Sequence, residues 1–442
     1  TTTKRKQPKH VLNNNSLPDY KSTSVNGKPI SANGKDFAGT KLDSVNTNDG
    51  IKSLITSEAV LNILQVLVTP SLHLNHKIGH IPTKEELLNP NMKTPFSFFG
   101  QLSIGAMATS AGQHHSELKF EYYDAKESPL DNVELEILKL RGTFLLPSKE
   151  LTSDLVETFF ERVHPLFPVI NRTEFMRKFN DPNDLPSLML LQAVLLCGAR
   201  VSSNSLIMDS EGLANLAILT FFRRAKALFD ANYESDPVTI IQSLILISLY
   251  WEGPEDVTKN SWYWVRAAIS LAQGFGFHRD VLNSTTILEN DKKIWRRIWW
   301  SLFEKDRNVA IAFGRPSMID LTDCDVPMIT IEDFDESENG KPSPYPVRET
   351  EALYFIHLVK LAEITGIIVK HQYSVKAEIM KRRNKFPIIQ HCDMLMGIWY
   401  TNLPSKLVFL LQDKKSQNFY LCLINAKYYN RLYLIHRLNL LK

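Results

Sequence analysis

The sequence predicts an all-α protein. From about residue 147 onward, apolar side chains recur every three to four residues through a succession of long stretches. Strand-type alternation bounded by hairpin turns is scarce, and no repeat of fixed period is present. With 442 residues, 44% of them apolar, the chain has ample material for a large buried core. This composition excludes wholesale disorder.

Residues 1–50 are predicted to form a flexible basic linker. They are rich in Ser, Thr, Asn, Gly and Lys and hold eight Lys or Arg against four Asp, whereas the remaining 392 residues sum to −1. A near-neutral body is not expected to wrap nucleic acid. The first basic run, Lys4, Arg5, Lys6 and Lys9, is a candidate nuclear-import signal or phosphate-contacting tail, and an ordinary solvated charge run is the alternative.

Residues 51–145 are predicted to form a helical lead-in segment. Its apolar stretch Ile51–Leu72 is interrupted by polar residues and by Pro70, so it is too broken for the ~20 apolar residues that a membrane span requires. We therefore expect no membrane partner. Because the chain begins with Thr1 and ends in mid-pattern at Lys442, we expect it to be a fragment.

Residues 146–442 are predicted to form the main helical domain. Ser148 is a candidate N-cap for the first helix, and His164-Pro165 ends it because the residue before proline is pushed out of the helical region. The acidic, proline-containing residues 329–349 are predicted to be an exposed loop. Further helices are predicted over Leu188–Cys197, Ala214–Tyr233, Thr239–Trp251, Trp262–Ala272, Asp291–Phe313, Thr350–Met380, Ile388–Trp399 and Asn418–Leu440.

The helix predicted over Asp291–Phe313 carries a carboxylate in line with aromatic side chains. Trp295, Trp299 and Asp306 lie at offsets 0, +4 and +11, on one face of a helix. A carboxylate beside such a stripe is expected to be partly buried, and it then needs a cationic partner. The candidate partners are Arg266, Arg307 and Arg315. The stripe itself is predicted to be core, with a ligand pocket as the alternative.

No sequence pattern commits the chain to catalysis. Metalloprotease, hydrolase, dinucleotide-binding and Walker motifs are absent, and the acidic pairs Glu332-Asp333 and Asp335-Glu336 lie in a predicted loop instead of on a magnesium-binding helix. The adjacent His391 and Cys392 lack a recognisable orienting Asp or Asn, so a nucleophilic site there is not favoured. We expect no enzymatic activity and no catalytic residue.

Neither the histidines nor the cysteines form a convincing metal site. His73, His76 and His80 have the spacing of helical metal ligands, but nearby Pro70 and Gly79 favour a solvated loop. The adjacent pair His114-His115 is no better a metal-site candidate, because neighbouring side chains point in different directions on a regular helix or strand. The four cysteines are far apart and form no CxxC pair: Cys197, Cys324, Cys392 and Cys422. We expect no metal ligand in this chain.

Several motifs, in order along roughly residues 150–442, resemble the fungal-specific transcription factor regulatory domain. Phe160–Ile170 resembles the start of that domain, and Trp399 with Leu403-Pro404 resembles a later segment of the family. The residues that carry the central motif, all expected to be structural, are Trp262, Trp264, Arg266, Arg296, Arg297, Trp299, Trp300, Asp306, Arg307, Gly314, Arg315 and Pro316. Within the family, the segment Arg141–Leu195 is most similar to cutinase-type regulators.

This resemblance implies a nuclear fungal transcription factor that controls RNA polymerase II transcription. In that family six cysteines bind two zinc ions at the N-terminus and place a short helix in the DNA major groove. The present sequence has no such cluster, so zinc and promoter DNA are implied for the parent protein and not for these residues. For the helical domain, the resemblance allows a small-molecule effector, a coactivator or a second copy as partner.

Two other functions are compatible with the helical pattern. One is an architectural scaffold, such as a kinetochore or assembly subunit, that reuses the same fold without activating transcription. The other is an all-α enzyme with a carboxylate-lined cavity, which the missing acidic clusters make the weaker alternative.

Overall fold

The computed structural model describes residues 130, 132–251, 258–338, 340–381, 388–409 and 418–440. Within these ranges it is built of helices and holds no β-strand, only an isolated bridge between Glu338 and Lys341. The all-α prediction is confirmed. The predicted basic linker, the import run, nearly all of the lead-in segment and the histidines between residues 73 and 115 lie outside the described residues.

The helices of the described ranges are numbered here in chain order. They are α1 (Asn132–Leu140), α2 (Lys149–Arg162), α3 (Arg172–Asn180), α4 (Leu188–Val201), α5 (Asn215–Asp230), α6 (Pro237–Ile247), α7 (Ser261–Gly274), α8 (Glu289–Phe313), α9 (Glu349–Ile368), α10 (Val375–Lys381), α11 (Ile388–Thr401) and α12 (Phe419–Leu440). Short 3₁₀ turns and one π-helical turn connect them.

Helix α4 is the centre of the N-terminal half. Twelve of its fourteen residues are buried, as its all-round apolar sequence predicts, and it packs on α2, α5 and α6. Gly198 permits the contact with α2, because a Cβ at that position would lie 2.2 Å from the carbonyl oxygen of Leu155. Helix α2 begins as predicted at Ser148, whose side chain accepts the Leu151 N–H, and it ends before His164.

Helix α8 runs between the two halves of the described domain and packs on α6, α7 and α9. At 25 residues it is the longest helix in the described ranges, and fifteen of those residues are buried. It ends as predicted at Gly314, which adopts the left-handed conformation with φ 63° that glycine accepts without steric cost. The chain then turns back at Pro316 along the end of the helix.

The helix predicted over Thr350–Met380 is interrupted in the structure. Helix α9 ends at Ile368, a π-helical turn covers Val369–Tyr373, and α10 starts after Ser374. The prediction of one continuous helix was therefore wrong. Ser374 explains the break, because its hydroxyl accepts the Ala377 N–H at 3.1 Å and so starts a new helix instead of continuing the old one.

The segment Glu349–Tyr373 has the length and mean hydropathy, 1.7, of a membrane-crossing helix. In the fold, however, 67% of its apolar window is buried against other helices. This is the environment of a core helix: α9 packs on α8, α11 and α12.

Candidate regulatory site around helix α8

Arg297 of α8 lies in the core with a complete set of partners. Its side chain is 1% exposed and forms an ion pair with Glu336, with 2.8 Å between Nη1 and Oε1. Its Nε donates to the carbonyl oxygen of Pro168 at 2.5 Å, and its Nη2 donates to that of Ile170 at 2.7 Å. Arg297 on α8 therefore joins the loop after α2, 129 residues away at Pro168, to the acidic loop, 39 residues away at Glu336.

The acidic loop over residues 329–349 is largely exposed, as its composition predicts, but it buries two of its carboxylates. Asp333 and Glu336 are 1% and 3% exposed, and Asp333 forms an ion pair with Arg296. For these two residues the prediction of exposure was wrong, because two arginines of α8 supply the charges that let the carboxylates be buried. Arg296 and Arg297 are thus both salt-bridged to this loop.

His164 lies against Arg297 and stays uncharged near neutral pH. Burial, reinforced by the positive charge of Arg297, lowers its pKa to about 3. The imidazole Nε2 lies 2.8 Å from the carbonyl oxygen of Ile170, so a neutral ring with its proton on Nε2 donates that hydrogen bond. Phe159 and Phe160 pack edge-on or tilted against the ring and exclude solvent from it.

Asp306 anchors the chain that turns back after α8. Its carboxylate accepts the N–H groups of Met318 at 2.9 Å and Ile319 at 3.0 Å, and Arg307 contacts it at 2.5 Å. Of the three arginines offered as its partner, Arg307 is the one that forms the ion pair. Burial raises the pKa of Asp306, while its backbone donors and Arg307 oppose that shift. Gly366 of α9 leaves room for Arg307, since a Cβ there would lie 2.7 Å from Nε.

The other two candidate arginines enclose an aromatic ring instead. The guanidinium carbons of Arg266 and Arg315 lie 4.3 Å and 4.5 Å from the ring centroid of Trp262. Arg266 also donates to the carbonyl oxygen of Pro316, two residues after Gly314, at 2.7 Å. This stack fixes the turn at the end of α8 against helix α7.

The remaining tryptophans of the motif are core residues. Trp264 and Trp299 are fully buried, and Trp300 is 4% exposed and donates from Nε1 to the carbonyl oxygen of Pro327 at 2.8 Å. Trp295 is half-buried and stacks on Phe277 with ring centroids 4.2 Å apart. The structure thus favours the core interpretation of this stripe over a ligand pocket.

A third charged cluster ties α8 to the C-terminal helices. Glu304, 1% exposed, accepts a hydrogen bond from Asn308 and forms an ion pair with Lys427 of α12 at 3.0 Å. Arg431, one turn later on α12, donates to Asn308 at 2.5 Å and to Thr365 of α9 at 3.0 Å. Burial lowers the pKa of both Lys427 and Arg431.

Sequence reasoning did not identify several members of these clusters. Glu304 and Arg431 lie on predicted helices in otherwise apolar surroundings, and that interruption was a usable signal for buried charge. Glu336 gave none, because an acidic residue in a Pro- and Gly-containing segment is typical of solvent. His164 was noticed only as the residue before Pro165.

A shallow cleft opens beside the Arg297 cluster. Its cavity volume is only about 30 Å³, and residues lining it include Phe160, His164, Arg172, Phe334 and Tyr345. No group of three or more His, Cys, Asp or Glu that could hold a metal ion occurs in the described ranges. His391 is exposed and Cys392 is buried, with its thiol pKa raised by burial. Nothing in this arrangement provides an activated nucleophile.

Comparison with known proteins shows to which family the chain belongs. The sequence model of the fungal specific transcription factor domain matches residues 156–411, which are more than half of the chain. The chain belongs to this family. The match runs from α2 through α11 and includes all of α8 with its Arg297 and Asp306 clusters. The chain is accordingly a regulatory region of a fungal transcription factor, as the motifs implied.

The curated relatives of this fungal specific transcription factor domain include cutinase-type regulators. Cutinase transcription factor 1 alpha of Fusarium vanettenii is 48% identical over 313 residues, which are 71% of this chain and 34% of that protein. Cutinase transcription factor 1 beta of the same species is 34% identical over 206 residues, 46% of this chain and 23% of that protein. The predicted similarity to cutinase-type regulators is confirmed.

A second group of relatives consists of acetamidase regulatory proteins. The acetamidase regulatory protein of Aspergillus fumigatus is 32% identical over 295 residues, 66% of this chain and 35% of that protein. The chain thus spans about a third of the length of these relatives. No solved structure matches it.

Proposed function

We propose that this chain is the regulatory part of a nuclear zinc-cluster transcription factor that controls RNA polymerase II transcription. The observation that carries the proposal is the family match over residues 156–411, together with relatives that are themselves transcription factors. DNA reading and zinc binding belong, in this proposal, to a six-cysteine cluster that these 442 residues do not contain. The comparisons do not favour the scaffold or the enzyme.

We propose that the three segments predicted from the sequence have three different roles. Residues 1–50 serve as a basic linker, with Lys4, Arg5, Lys6 and Lys9 as the import or phosphate-contacting run. Residues 51–145 form a helical lead-in segment, and residues 146–442 form the regulatory domain. The motif residues of α7 and α8 act structurally by holding that domain in one arrangement, and none of them is proposed to be catalytic.

The helical domain is proposed to gate activation through its buried ionic clusters. Arg297 is satisfied only when α8, the loop after α2 and the acidic loop are all in place, so losing any of these segments strands a buried charge. An effector could act on this arrangement only by binding one conformation more tightly than another. A small-molecule effector is one candidate partner in this proposal, and the cleft lined by His164, Arg172 and Tyr345, at about 30 Å³, must widen before it can hold one. A coactivator or a second copy is the alternative partner.

A tethering experiment tests the regulatory role. The full 442-residue chain is fused to an unrelated DNA-binding domain, and transcription from a reporter carrying its site is compared with that DNA-binding domain alone. We expect the fusion to change reporter output, and Glu336→Gln to change that output further at equal protein level. Glu211→Gln, the same change at an exposed residue of the loop before α5, is the matched control. If all fusions give the output of the DNA-binding domain alone, the regulatory proposal fails.

A binding experiment tests the DNA-reading assignment separately. Specific DNA binding is measured at fixed salt for this chain and for the same chain preceded by its natural upstream sequence, with and without a zinc chelator. We expect specific binding only with the upstream sequence and only without chelator. If neither form binds a specific site, the zinc-cluster assignment is wrong and the scaffold becomes the better explanation.

A further inference from the structure

A short strap closes over the N-terminus of α3. It comprises residues 340–348, begins at Gly340 with φ 73°, and contains Pro342, Pro344 and Pro346. These three prolines are exposed, whereas the side chains between them are half-buried. No helix forms in the strap, because each proline fixes its own φ, removes a backbone donor and pushes the preceding residue into extended conformations.

Two contacts hold the strap against α3. The hydroxyl of Ser343 lies 2.6 Å from that of Thr173 and also accepts the Tyr345 N–H at 2.9 Å. The Tyr345 ring centroid lies 4.8 Å from the guanidinium carbon of Arg172. Both contacts centre on the first turn of α3, and beyond them only Tyr345 and Val347 of the strap pack, half-buried, against the described core, so the strap can open locally without unfolding the domain.

Ser343 has the chemistry of a kinase substrate. It precedes Pro344, and in the described ranges no other Ser or Thr is directly followed by proline. A proline-directed protein kinase requires a Ser/Thr-Pro pair in an extended segment, and the alternating prolines supply that conformation in advance. The flanking residues Lys341, Pro342 and Pro344 are exposed, which leaves the segment accessible once Ser343 leaves Thr173.

The surroundings of Ser343 place a carboxylate close to where a phosphate would lie. Thr173, its hydrogen-bond partner, donates its backbone N–H to Glu336 at 3.1 Å, and its hydroxyl lies 3.3 Å from the same carboxylate. Glu336 is already paired with Arg297, and the nearby Arg172 is paired with Glu157 at 2.6 Å, although its Nε has no hydrogen-bond partner. A phosphate of about −2 at Ser343 would therefore face the Glu336 carboxylate, and the Arg172 cation beside it is already shared with Glu157.

We propose that Ser343 is a phosphorylation site for a proline-directed protein kinase, and that the phosphate releases the strap from α3. The Ser343 Oγ attacks the γ-phosphorus of a nucleoside triphosphate and forms a new O–P bond. The bond between that phosphorus and the β–γ bridging oxygen breaks, the nucleoside diphosphate leaves, and the hydroxyl proton passes to the base of the kinase. Repulsion between phosphate and Glu336 then separates residues 340–348 from Thr173.

The test uses the full chain with one remaining target. Thr69→Ala, Thr94→Ala and Ser128→Ala remove the other Ser/Thr-Pro pairs of the sequence. This protein is treated with a proline-directed kinase and ATP, the modified residue is mapped by mass spectrometry, and amide hydrogen exchange is compared before and after. We expect phosphate on Ser343 and roughly tenfold faster exchange at two amides, because Thr173 loses the cover of the strap and Tyr345 loses the Ser343 hydroxyl as acceptor.

Two variants separate the proposed effect from a general effect of charge. Ser343→Ala should take up no phosphate. Ser337→Asp is the matched charge control, because Ser337 contacts Asp335 outside the strap, and we expect exchange at Thr173 to stay unchanged there. The proposal is overturned if a kinase active on the unmutated chain leaves Ser343 unmodified. It is equally overturned if complete phosphorylation leaves exchange at Thr173 unchanged, or slows it by replacing Glu336 at the helix terminus.

Discussion

Arg297 shows how a single buried charge can define a whole region of this domain. Its guanidinium contacts two backbone carbonyls and one carboxylate from segments distant in sequence. A buried ion pair is weak evidence for net stability, because desolvation of the two charges offsets much of their attraction. Removing one partner alone is different, since it leaves the other charge buried and uncompensated. The pair with Glu336 therefore specifies where the acidic loop must lie.

A double-mutant cycle on this pair measures that dependence. We expect Arg297→Met and Glu336→Gln each to lower the free energy of unfolding by about 3–5 kcal/mol, and the double variant to lose much less than the sum. Urea unfolding of the four proteins gives the coupling energy. Additive losses would mean that the two side chains do not compensate each other in the folded state.

Asp306 and Arg315 are expected to respond differently to truncation. Asp306→Ala removes the acceptor of two backbone N–H groups and strands the buried Arg307, so we expect a loss of about 3–5 kcal/mol. Arg315→Ala removes a cation–π contact with Trp262 and should cost only about 1 kcal/mol. Thermal melts of both variants distinguish these values. Equal losses would contradict the assignment of Arg307 as the partner.

For single residues, the sequence predicts on which face of a helix a side chain lies but not which side chain pairs with it. Asp306 could be placed beside Trp299 by counting helical turns, and the need for an arginine followed from burial. The choice of Arg307 over Arg266 could not be made, because it depends on how the chain turns after Gly314. Glu336 could not be found at all, since no local pattern shows that a loop carboxylate will meet Arg297.

Among the elements, the contact between α2 and α4 depends on a missing side chain. Gly198 lies in the middle of a buried helix, where glycine is otherwise unfavourable, and its Cα faces the carbonyl oxygen of Leu155. The close approach lets the apolar residues of both helices interlock. Any side chain at residue 198 must push the two helices apart.

Alanine substitutions at two glycines test this contact. We expect Gly198→Ala to destabilise the fold by roughly 1–3 kcal/mol, because its Cβ would lie 2.2 Å from the Leu155 carbonyl oxygen. Gly397 in α11 has nothing within 4 Å of such a Cβ, and Gly397→Ala should stabilise by about 1 kcal/mol through helix propensity. Chemical denaturation of both variants gives the comparison. A neutral Gly198→Ala would mean that the helices separate without cost.

Most element boundaries were within reach of sequence reasoning, because they are set locally. Ser148, Pro165 and Gly314 act on their own turn of helix and were recognised. The break at Ser374 was missed because the apolar pattern continues through it. The hydroxyl of Tyr373, which donates to the carbonyl oxygen of Leu434 at 2.6 Å, ties this turn to α12, and no local pattern predicts such a contact.

Across the whole molecule, buried neutral histidines make the fold sensitive to acid. Burial lowers the pKa of His164 to about 3 and that of His357 to about 4, whereas an unfolded histidine titrates near 6.5. Below pH 6.5 the unfolded chain takes up protons that the folded chain does not. The stability contributed by neutral burial is therefore complete above pH 6.5 and is lost as the pH falls.

We expect the unfolding free energy to fall between pH 6.5 and 5 by roughly 1 kcal/mol per pH unit for each of these histidines. Urea titrations at closely spaced pH values measure that slope. His164→Gln should reduce the slope by about one proton, and the exposed His391 provides the control His391→Gln, which should leave it unchanged. An unaltered slope in His164→Gln would show that folding does not lower the pKa of this ring.

The fold class and the succession of helices could be predicted because each segment shows helical periodicity in its own sequence. Their packing could not, since it is decided by pairs such as Arg297 with Pro168 and Glu304 with Lys427 that no segment contains alone. The proposed function follows from the family resemblance, because helical periodicity alone does not indicate a function.

The link between Glu304 and Lys427 has a consequence for synthesis. The two residues are separated by 123 positions, so α8 leaves the ribosome well before its partner on α12 exists. Until then the Glu304 carboxylate lacks the lysine that neutralises it, and the apolar face of the helix has no complete cover. The nascent domain therefore stays partly assembled, and open to chaperones and proteases, at least until α12 is made. Such late closure of distant contacts predicts slow folding for an all-helical protein.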